Sequence, residues 1–250
     1  MARVLVAGES WQTLSLHIKG FDSFFTSEYK EGVGSFREAL EHGGHSVDFQ
    51  PNHVAAVSFP DTVEALSEYG VVFLSDIGSN TLLMPPVTFA FGESRPNRLV
   101  ALRSWVAGGG GLAMIGGYLS FQGIEGKGNY AVTPLADALP VELERGDDRS
   151  EVPEGAVVRT TGQEHSVIEG LPEEWPLLLG FQRLVPREGA TVLATINDWP
   201  LLVVWQYGQG RVLAFASDIG PHWAPAVFTE WSGYTQLWAQ AASWLGQETK

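Results

Sequence analysis

The sequence predicts an α/β fold with a mostly parallel central sheet and a C-terminal antiparallel extension. Three short runs are almost wholly apolar, which is typical of parallel strands that helices cover on both faces; they are residues 3–7, 70–76 and 211–218. Segments whose apolar residues recur at helical spacing lie between the first two of these runs. Alternating apolar and polar residues follow residue 155, as expected for antiparallel strands.

Composition limits the classes of protein that this chain can belong to. The 250 residues suit one α/β domain over residues 1–250, and a 44% hydrophobic content is enough for a packed core. The formal charge of -14 argues against nucleic acid and anionic membrane as partners. No apolar run is long enough to span a membrane, and the N-terminus is strand-like without the features of a signal peptide. We therefore expect a cytoplasmic protein.

The first half of the chain alternates strands and helices. Val33, Phe36 and Leu40 share a helical face that ends at Gly43 and Gly44, and residues 47–50 follow as a second strand. A short helix is predicted at 61–66, and Asn97 is expected to cap a further helix. Residues 13–29 show no clear helical or strand periodicity. They are interpreted as an active-site loop or, alternatively, as a segment that packs on the surface without a functional role. Residues 82–97 are expected to be irregular.

The second half is predicted to extend the sheet. We expect strands at 156–160, 191–196, 201–206 and 211–217, with a glycine-bearing hairpin at 207–210. The acidic stretch 142–154 is interpreted as a solvated connection. Residues 165–172, together with Trp175 and Pro176, are expected to wrap over the sheet as a loop. The last helix carries an apolar stripe of Tyr234, Leu237, Trp238, Ala241 and Leu245.

A glycine-rich stretch organises the predicted site. Four glycines at 108–111 end a helix, a buried strand follows, and Gly116 and Gly117 precede Tyr118. Glycine tolerates the positive φ and close approach of a sharp strand-to-helix elbow. Such an elbow would hold Tyr118 above the carboxyl ends of the parallel strands, where open α/β sheets bind ligands.

Three polar strand ends should meet at the same edge as this elbow. The candidate substrate-binding residues there are Glu9, Ser10, Trp11, Asp76, Asn80, Gly117 and Trp223, with His17 reaching in from the following segment. The candidate catalytic residues are Tyr118, His222 and Asp218. Two structural alternatives stay open, because Asp76 could simply cap a turn, and because His222 and Trp223 could be buried packing residues.

No cofactor or metal is expected. The glycine-rich residues 120–130 have neither the GxxxxGK[ST] order of a phosphate loop nor a GxGxxG motif directly after a strand, so phosphate cradling is only a weak alternative. His42 and His45 lack further ligands at suitable spacing, and no HxH or HExxH motif supports a site that uses His17 and His222. The absence of cysteine excludes disulfides, thiolate metal sites and a thiol nucleophile.

The order of these pieces resembles the class I glutamine amidotransferase-like superfamily. The resemblance is carried by Gly8-Glu-Ser-Trp, Ser75-Asp-Ile-Gly-Ser-Asn-Thr, Gly116-Gly-Tyr-Leu-Ser-Phe-Gln-Gly-Ile and Ala216-Ser-Asp-Ile-Gly-Pro-His-Trp-Ala-Pro, with Trp231-Ser-Gly-Tyr. It is strongest toward the branch labelled "putative glutamine amidotransferase" or "cytoplasmic protein". A more distant similarity is to the trehalose-utilisation protein family.

The resemblance implies a flavodoxin-like three-layer sandwich with a catalytic Cys at the elbow and a His after a late strand. Tyr118 stands near the Cys position and His222 near the His position, whereas Ala224 replaces the acidic residue that follows the His by two positions. Without a thiolate there is no glutamyl thioester route, so glutaminase activity is not expected.

The chemistry of the predicted site favours a small neutral ligand. Carboxylates and amides bind hydroxyl groups, and indole faces cover the apolar side of a sugar ring. One hypothesis is therefore an acid/base enzyme, of hydrolase or isomerase type, for a carbohydrate-like or carbonyl metabolite. In it His222 is the acid or base, Asp218 or Asp76 orients it, and Tyr118 donates to an oxyanion. The alternative is a non-catalytic metabolite-binding or interaction module, whose nine tryptophans could also serve a homo-oligomer interface.

Overall fold

The computed structural model describes residues 1–247. In chain order the strands are β1 (Arg3–Gly8), β2 (Ser10–Lys19), β3 (Asp22–Glu31), β4 (Ser46–Gln50), β5 (Val71–Ser75), β6 (Gly111–Ile115), β7 (Val141–Glu142), β8 (Arg149–Thr160), β9 (Glu174–Gln182), β10 (Val185–Pro186), β11 (Thr191–Ile196), β12 (Trp199–Tyr207) and β13 (Gly210–Phe215). The helices are α1 (Gly34–His42), α2 (Asn52–Ser58), α3 (Val63–Leu66), α4 (Ser79–Leu83), α5 (Pro86–Phe91), α6 (Arg98–Ala107), α7 (Ala226–Thr229) and α8 (Ser232–Leu245).

A nine-stranded sheet forms the centre of the molecule. Its order is β4-β1-β5-β6-β13-β12-β11-β8-β9, and the first five strands are parallel while the last four are added antiparallel. This confirms the predicted α/β class with a parallel core and an antiparallel extension. The chain moves from β1 outward to β4 and then back to β5, so the order reverses beside β1. Such a reversal opens a crevice at the carboxyl ends of the strands.

Helices cover both faces of the parallel half. On one face α1 packs against α8, and their aromatic rings meet the sheet edge to face: Phe36 lies 5.1 Å from Phe73, and Trp238 lies 5.1 Å from Phe215. On the other face α6 is joined to α2 by the buried Arg98, whose guanidinium donates to carbonyl oxygens at the end of α2. These layers explain why the inner parallel strands β1, β5, β6 and β13 are almost wholly apolar.

The antiparallel half is longer than predicted. Strand β8 begins at Arg149, inside the acidic stretch that was expected to be a solvated connection, and β9 occupies residues that were expected to be loop. The reason is tertiary pairing: β8 and β9 pair with each other at the edge of the sheet, which composition alone cannot reveal. The 207–210 hairpin and the last helix are as predicted.

Residues 13–29 are not a loop, and that interpretation was wrong. They form most of an antiparallel hairpin whose ten-residue strands β2 and β3 pair along their whole length. The signal was present in the sequence, because Leu14, Leu16 and Ile18 alternate with polar residues. The region 82–97 was likewise expected to be irregular, yet it contains α5, with Asn97 capping α6 as predicted.

Among residues 1–247, no helix is both long and apolar enough to cross a lipid bilayer.

Candidate functional site

The carboxyl ends of β1, β5 and β13 each place an acidic residue at the crevice. Glu9 and Asp76 follow their strands with φ of 46° and 43°, in the left-handed region, so each turns the chain sharply at the sheet edge. A hydrogen bond of 2.8 Å from the Glu9 amide to the Ser75 carbonyl joins the two turns. Asp218 follows β13 at the same edge.

Two of these carboxyl groups are buried beneath the site. Glu9 is 1% exposed and accepts a 2.6 Å hydrogen bond from the Ser75 hydroxyl. Asp218 is 2% exposed and accepts from the amides of Ile219 and Gly220. Burial, reinforced by Asp76, raises the pKa of Glu9 to about 8, and burial together with Glu9 and Asp76 raises that of Asp218 well above its ordinary value.

Asp76 ties the strand end to the glycine elbow. Its carboxylate accepts a 2.7 Å hydrogen bond from the Leu119 amide, and its own amide donates to the Ser120 hydroxyl. Burial raises the pKa of Asp76, while the Leu119 amide and His222 act in the opposite direction. The turn-capping role weighed for Asp76 is therefore real in part, because one oxygen orders the elbow.

The glycine pair is required by close approach. A Cβ on Gly116 would lie 2.7 Å from the Ser217 carbonyl oxygen, and Gly117 has φ of +132° with Asp76 atoms 2.8 Å from its hypothetical Cβ. The helix that was expected directly after the elbow does not form there, and no α-helix lies within residues 116–140. Instead the chain runs through short 3-10 turns that are held by the Tyr130 hydroxyl, which donates to the Ile77 carbonyl. The elbow is thus a strand-to-loop turn.

A cleft of about 430 Å³ opens above this elbow. Its lining combines aromatic and aliphatic walls with three titratable groups. The lining residues are Trp11, Asp76, Tyr118, Leu119, Ile124, Pro221 and His222. The Tyr118 ring is stacked on His222 at 4.1 Å between centroids, and the Arg149 guanidinium lies 4.6 Å from the same ring. Depressions of about 650 and 780 Å³ lie around 160–171 and between α1 and α8, but no residue that ends a parallel strand lines them.

The structure gathers four of the predicted residues at this cleft and places the others elsewhere. Trp11, Asp76, Tyr118 and His222 line it, and Gly117 lies directly under Asp76. Four others are buried behind the cleft: Glu9, Ser10, Asp218 and Trp223. The Ser10 hydroxyl accepts a hydrogen bond from the Asn52 amide, and the Trp223 indole donates one to Glu151. Asn80 is exposed on α4. His17 lies on the hairpin, stacked on Phe24 and bonded to Thr26, so it does not reach into the cleft.

Sequence reasoning missed the residues that hold the loop and ring beside Tyr118. They come from the acidic stretch: Asp148 accepts from the amides of Gln122 and Gly123, and Arg149 stacks on Tyr118 while pairing with Asp147 at 2.9 Å. Burial raises the pKa of Asp148 to about 6. No local signal in the sequence points to these contacts, since the Tyr118 ring and the amides of Gln122 and Gly123 are distant in sequence from Asp148 and Arg149.

In the part of the chain that the structure describes, the titratable side chains are not arranged as a metal centre. No group of three or more His, Asp or Glu residues within 1–247 is placed to hold a metal ion.

Comparison with known families identifies the class of protein that this fold and site define. The family model described as "putative glutamine amidotransferase" matches residues 3–247, so the chain belongs to that family. No functionally curated protein is similar to it in sequence.

Solved structures agree with this assignment. Two cytoplasmic proteins from Salmonella typhimurium are each 44% identical over 97% of this chain, covering 98% and 99% of their own lengths, with TM-scores of 0.94. A ThuA-like protein from Parabacteroides merdae is 15% identical, covers 100% of this chain and 92% of its own, and has a TM-score of 0.58. The last likeness concerns the fold alone.

Proposed function

We propose that this chain is an acid/base enzyme for a small, neutral, carbohydrate-like or carbonyl metabolite that binds in the Trp11–Tyr118–His222 cleft. The observation that carries the proposal is the placement of Asp76 and His222 on the same apolar-walled cleft at the carboxyl ends of the parallel strands. Relatives described as cytoplasmic proteins support a cytoplasmic location.

The size and lining of the cleft favour this class of ligand. A volume of about 430 Å³ is within the range for small-molecule sites. Trp11 offers an aromatic surface that can cover the apolar side of a sugar ring. Asp76 supplies the carboxylate that would bind hydroxyl groups. An anionic ligand is disfavoured, because the chain carries a formal charge of -14 and the cleft lining includes no Lys or Arg.

The titratable groups suit proton transfer. Burial raises the pKa of Asp76 from its ordinary acidic value in the direction of neutral pH. A group whose pKa lies nearer to the working pH can both donate and accept a proton. His222, exposed at the cleft rim, is the complementary acid or base. In this scheme Asp76, rather than the buried Asp218, works with His222, and Asp218 orders the turn between β13 and His222 through the Ile219 and Gly220 amides.

Tyr118 serves in this proposal as an aromatic binding platform. Burial and the neighbouring Glu151 carboxylate raise its pKa, while Arg149 lowers it, so the phenol stays protonated at neutral pH. Its hydroxyl group is engaged toward Glu151 and Arg149, and its ring lies against His222. A thiol route remains excluded because the chain has no cysteine.

A thermal-shift screen tests the proposal. Wild type, His222→Ala, Asp76→Asn and the control His42→Ala, which alters an exposed histidine on α1, are screened against sugars, keto-sugars, glutamine, nucleotides and divalent metals. A ligand that binds only the folded form raises the melting temperature. We expect a sugar or carbonyl hit that His42→Ala keeps, with turnover lost in His222→Ala and Asp76→Asn.

Four results would each count against a part of the proposal. Unchanged turnover in both cleft variants would refute the assigned roles. Binding of the same compound without any turnover would favour the metabolite-binding module instead. If only glutamine bound, or if no compound of the screen bound, the proposed carbohydrate-like or carbonyl ligand class would be contradicted.

A further inference from the structure

We propose that the β2–β3 hairpin is a dimerisation arm whose apolar face packs on the exposed surface of α5 in a second copy of this chain. This inference does not depend on the chemistry of the cleft. It rests on two apolar surfaces that a single copy leaves exposed.

The hairpin has one strongly apolar face. The register places Leu16 opposite Phe25, and Leu14 and Ile18 lie on the same face two residues to either side. These four side chains are between 53% and 70% exposed, and Phe21 at the turn is fully exposed. An ordered ribbon with such a face is expected to be covered, since an isolated two-stranded hairpin is only marginally stable in water.

The opposite face of the same hairpin is mainly polar. Thr13 pairs with Glu28, Ser15 with Thr26 and Lys19 with Asp22 across the strands. The alternation is therefore that of a strand pair with one face against protein and one against solvent. This alternation predicts that the apolar face of the arm, and not its polar face, binds the second copy.

The apolar area is that of an interface. Taking about 200 Å² for a fully exposed large side chain, the exposed fractions of Leu14, Leu16, Ile18, Phe21 and Phe25 amount to about 700 Å². That exceeds the roughly 300–600 Å² of the largest apolar patch on a typical monomer. It approaches the ~800 Å² that each partner gives to a standard protein–protein interface.

The receiving surface is on the same chain. Helix α5 has no buried residue, and its Phe89 and Phe91 are 79% and 77% exposed. Met84, just before α5, is also exposed, as is Val57 on α2, a helix that packs on α4. Tyr29, on the apolar face of the hairpin, contacts His53 of α2 at 5.4 Å. The base of the arm therefore adjoins α2, which packs on α4, the helix that precedes α5 in the chain.

A two-fold axis would satisfy both surfaces at once. If the arm of one copy lies on α5 of its partner, the partner's arm lies on α5 of the first, which is the self-complementary arrangement of a symmetric dimer. A membrane is the less suitable occupant, because the chain carries a charge of -14, and the hairpin's Lys19 and Lys30 are offset by Asp22, Glu28 and Glu31.

Sedimentation velocity of the full chain is the first test. We expect wild type to sediment at twice its 27.1 kDa mass at micromolar concentration, and Leu16→Lys/Phe25→Lys to sediment as the monomer. The control Thr13→Lys/Ser15→Lys adds the same charge to the polar face and should remain dimeric. Circular dichroism and melting temperature establish that each variant is folded. A monomeric wild type, or a Leu16→Lys/Phe25→Lys dimer, overturns the proposal.

Cross-linking tests the receiving surface. Because the chain has no cysteine, Leu16→Cys and Phe89→Cys each provide a unique thiol. A bis-maleimide added to a mixture of the two variants should join one chain of each kind. Products formed only between identical variants would refute α5 as the receiving surface. Binding of the wild-type monomer to anionic vesicles, without dimers, would assign the arm to a membrane instead.

Discussion

Replacing Glu9 by Gln should remove a large part of the pH dependence of stability. The folded protein raises the pKa of Glu9 from 4.5 to about 8, because the carboxyl group is buried and lies near Asp76. Between these pH values the folded state holds a proton that the unfolded state has released. The stabilising contribution is therefore complete below pH 4.5 and is lost as the pH rises through 8.

The size of the effect follows from the shift. At 1.36 kcal/mol per pKa unit, a rise of this size corresponds to at most about 5 kcal/mol, and we expect about 3–5 kcal/mol because Asp218 titrates together with Glu9. Gln keeps an oxygen that can accept the Ser75 hydroxyl bond and has no proton to lose. Glu9→Gln should thus match wild type near pH 4.5 and exceed its stability by this amount near pH 8.5.

Urea unfolding followed by tryptophan fluorescence, at constant ionic strength from pH 4.5 to 8.5, measures the difference. Glu38→Gln is the control, since it removes the same charge from an exposed position on α1 and should show little change across the range. A stability difference between Glu9→Gln and wild type that does not vary with pH would refute the reasoning. So would a difference that shrinks as the pH rises.

Three further predictions concern the loop, the core and the cleft. Asp148→Ala should lower the free energy of unfolding at pH 7 by about 2–4 kcal/mol in urea titrations, since two buried amides lose their acceptor; Asp148→Asn, which keeps an oxygen, should lose less. Trp238→Ala should cost about 3–5 kcal/mol in the same assay, because the indole packs between α1 and the sheet; an unchanged midpoint would contradict that packing. Trp11→Ala should weaken binding of the screened sugar at least about tenfold by calorimetry without changing the melting temperature, if its ring covers the ligand.

The elements that periodicity specifies could be predicted from the sequence. The buried strands β1, β5 and β13 are continuous apolar runs, and α8 carries its apolar stripe at helical spacing. Because carboxyl ends of parallel strands share an edge, the placement of Asp76 and His222 near the elbow also followed. The hairpin was misread although its alternation was visible in Leu14, Leu16 and Ile18.

The rest depended on contacts between distant residues. Nothing local to Asp148 indicates that it will receive the amides of Gln122 and Gly123, 26 and 25 residues away. The same holds for Arg149, which reaches the ring of Tyr118 only because β8 pairs with β9 at the edge of the sheet. The sequence also does not reveal how deeply each acidic side chain is buried. Glu9, Asp76 and Asp218 all follow strands, but of these three only Asp76 lines the cleft.

The different burial of these three carboxyl groups determines how much negative charge the cleft carries. With a pKa of about 8, Glu9 is mostly protonated at neutral pH, and Asp218 is driven the same way by burial and by its neighbours. Asp76 then faces the cleft without an ionised Glu9 carboxylate beneath it, which limits the negative charge at this edge of the sheet. A neutral polyhydroxylated ligand needs such a balance: one carboxylate to accept hydroxyl protons, and no accumulated charge that would demand a cation. Since the amide of Glu9→Gln is uncharged at every pH, this variant should alter stability while leaving ligand binding at neutral pH unchanged.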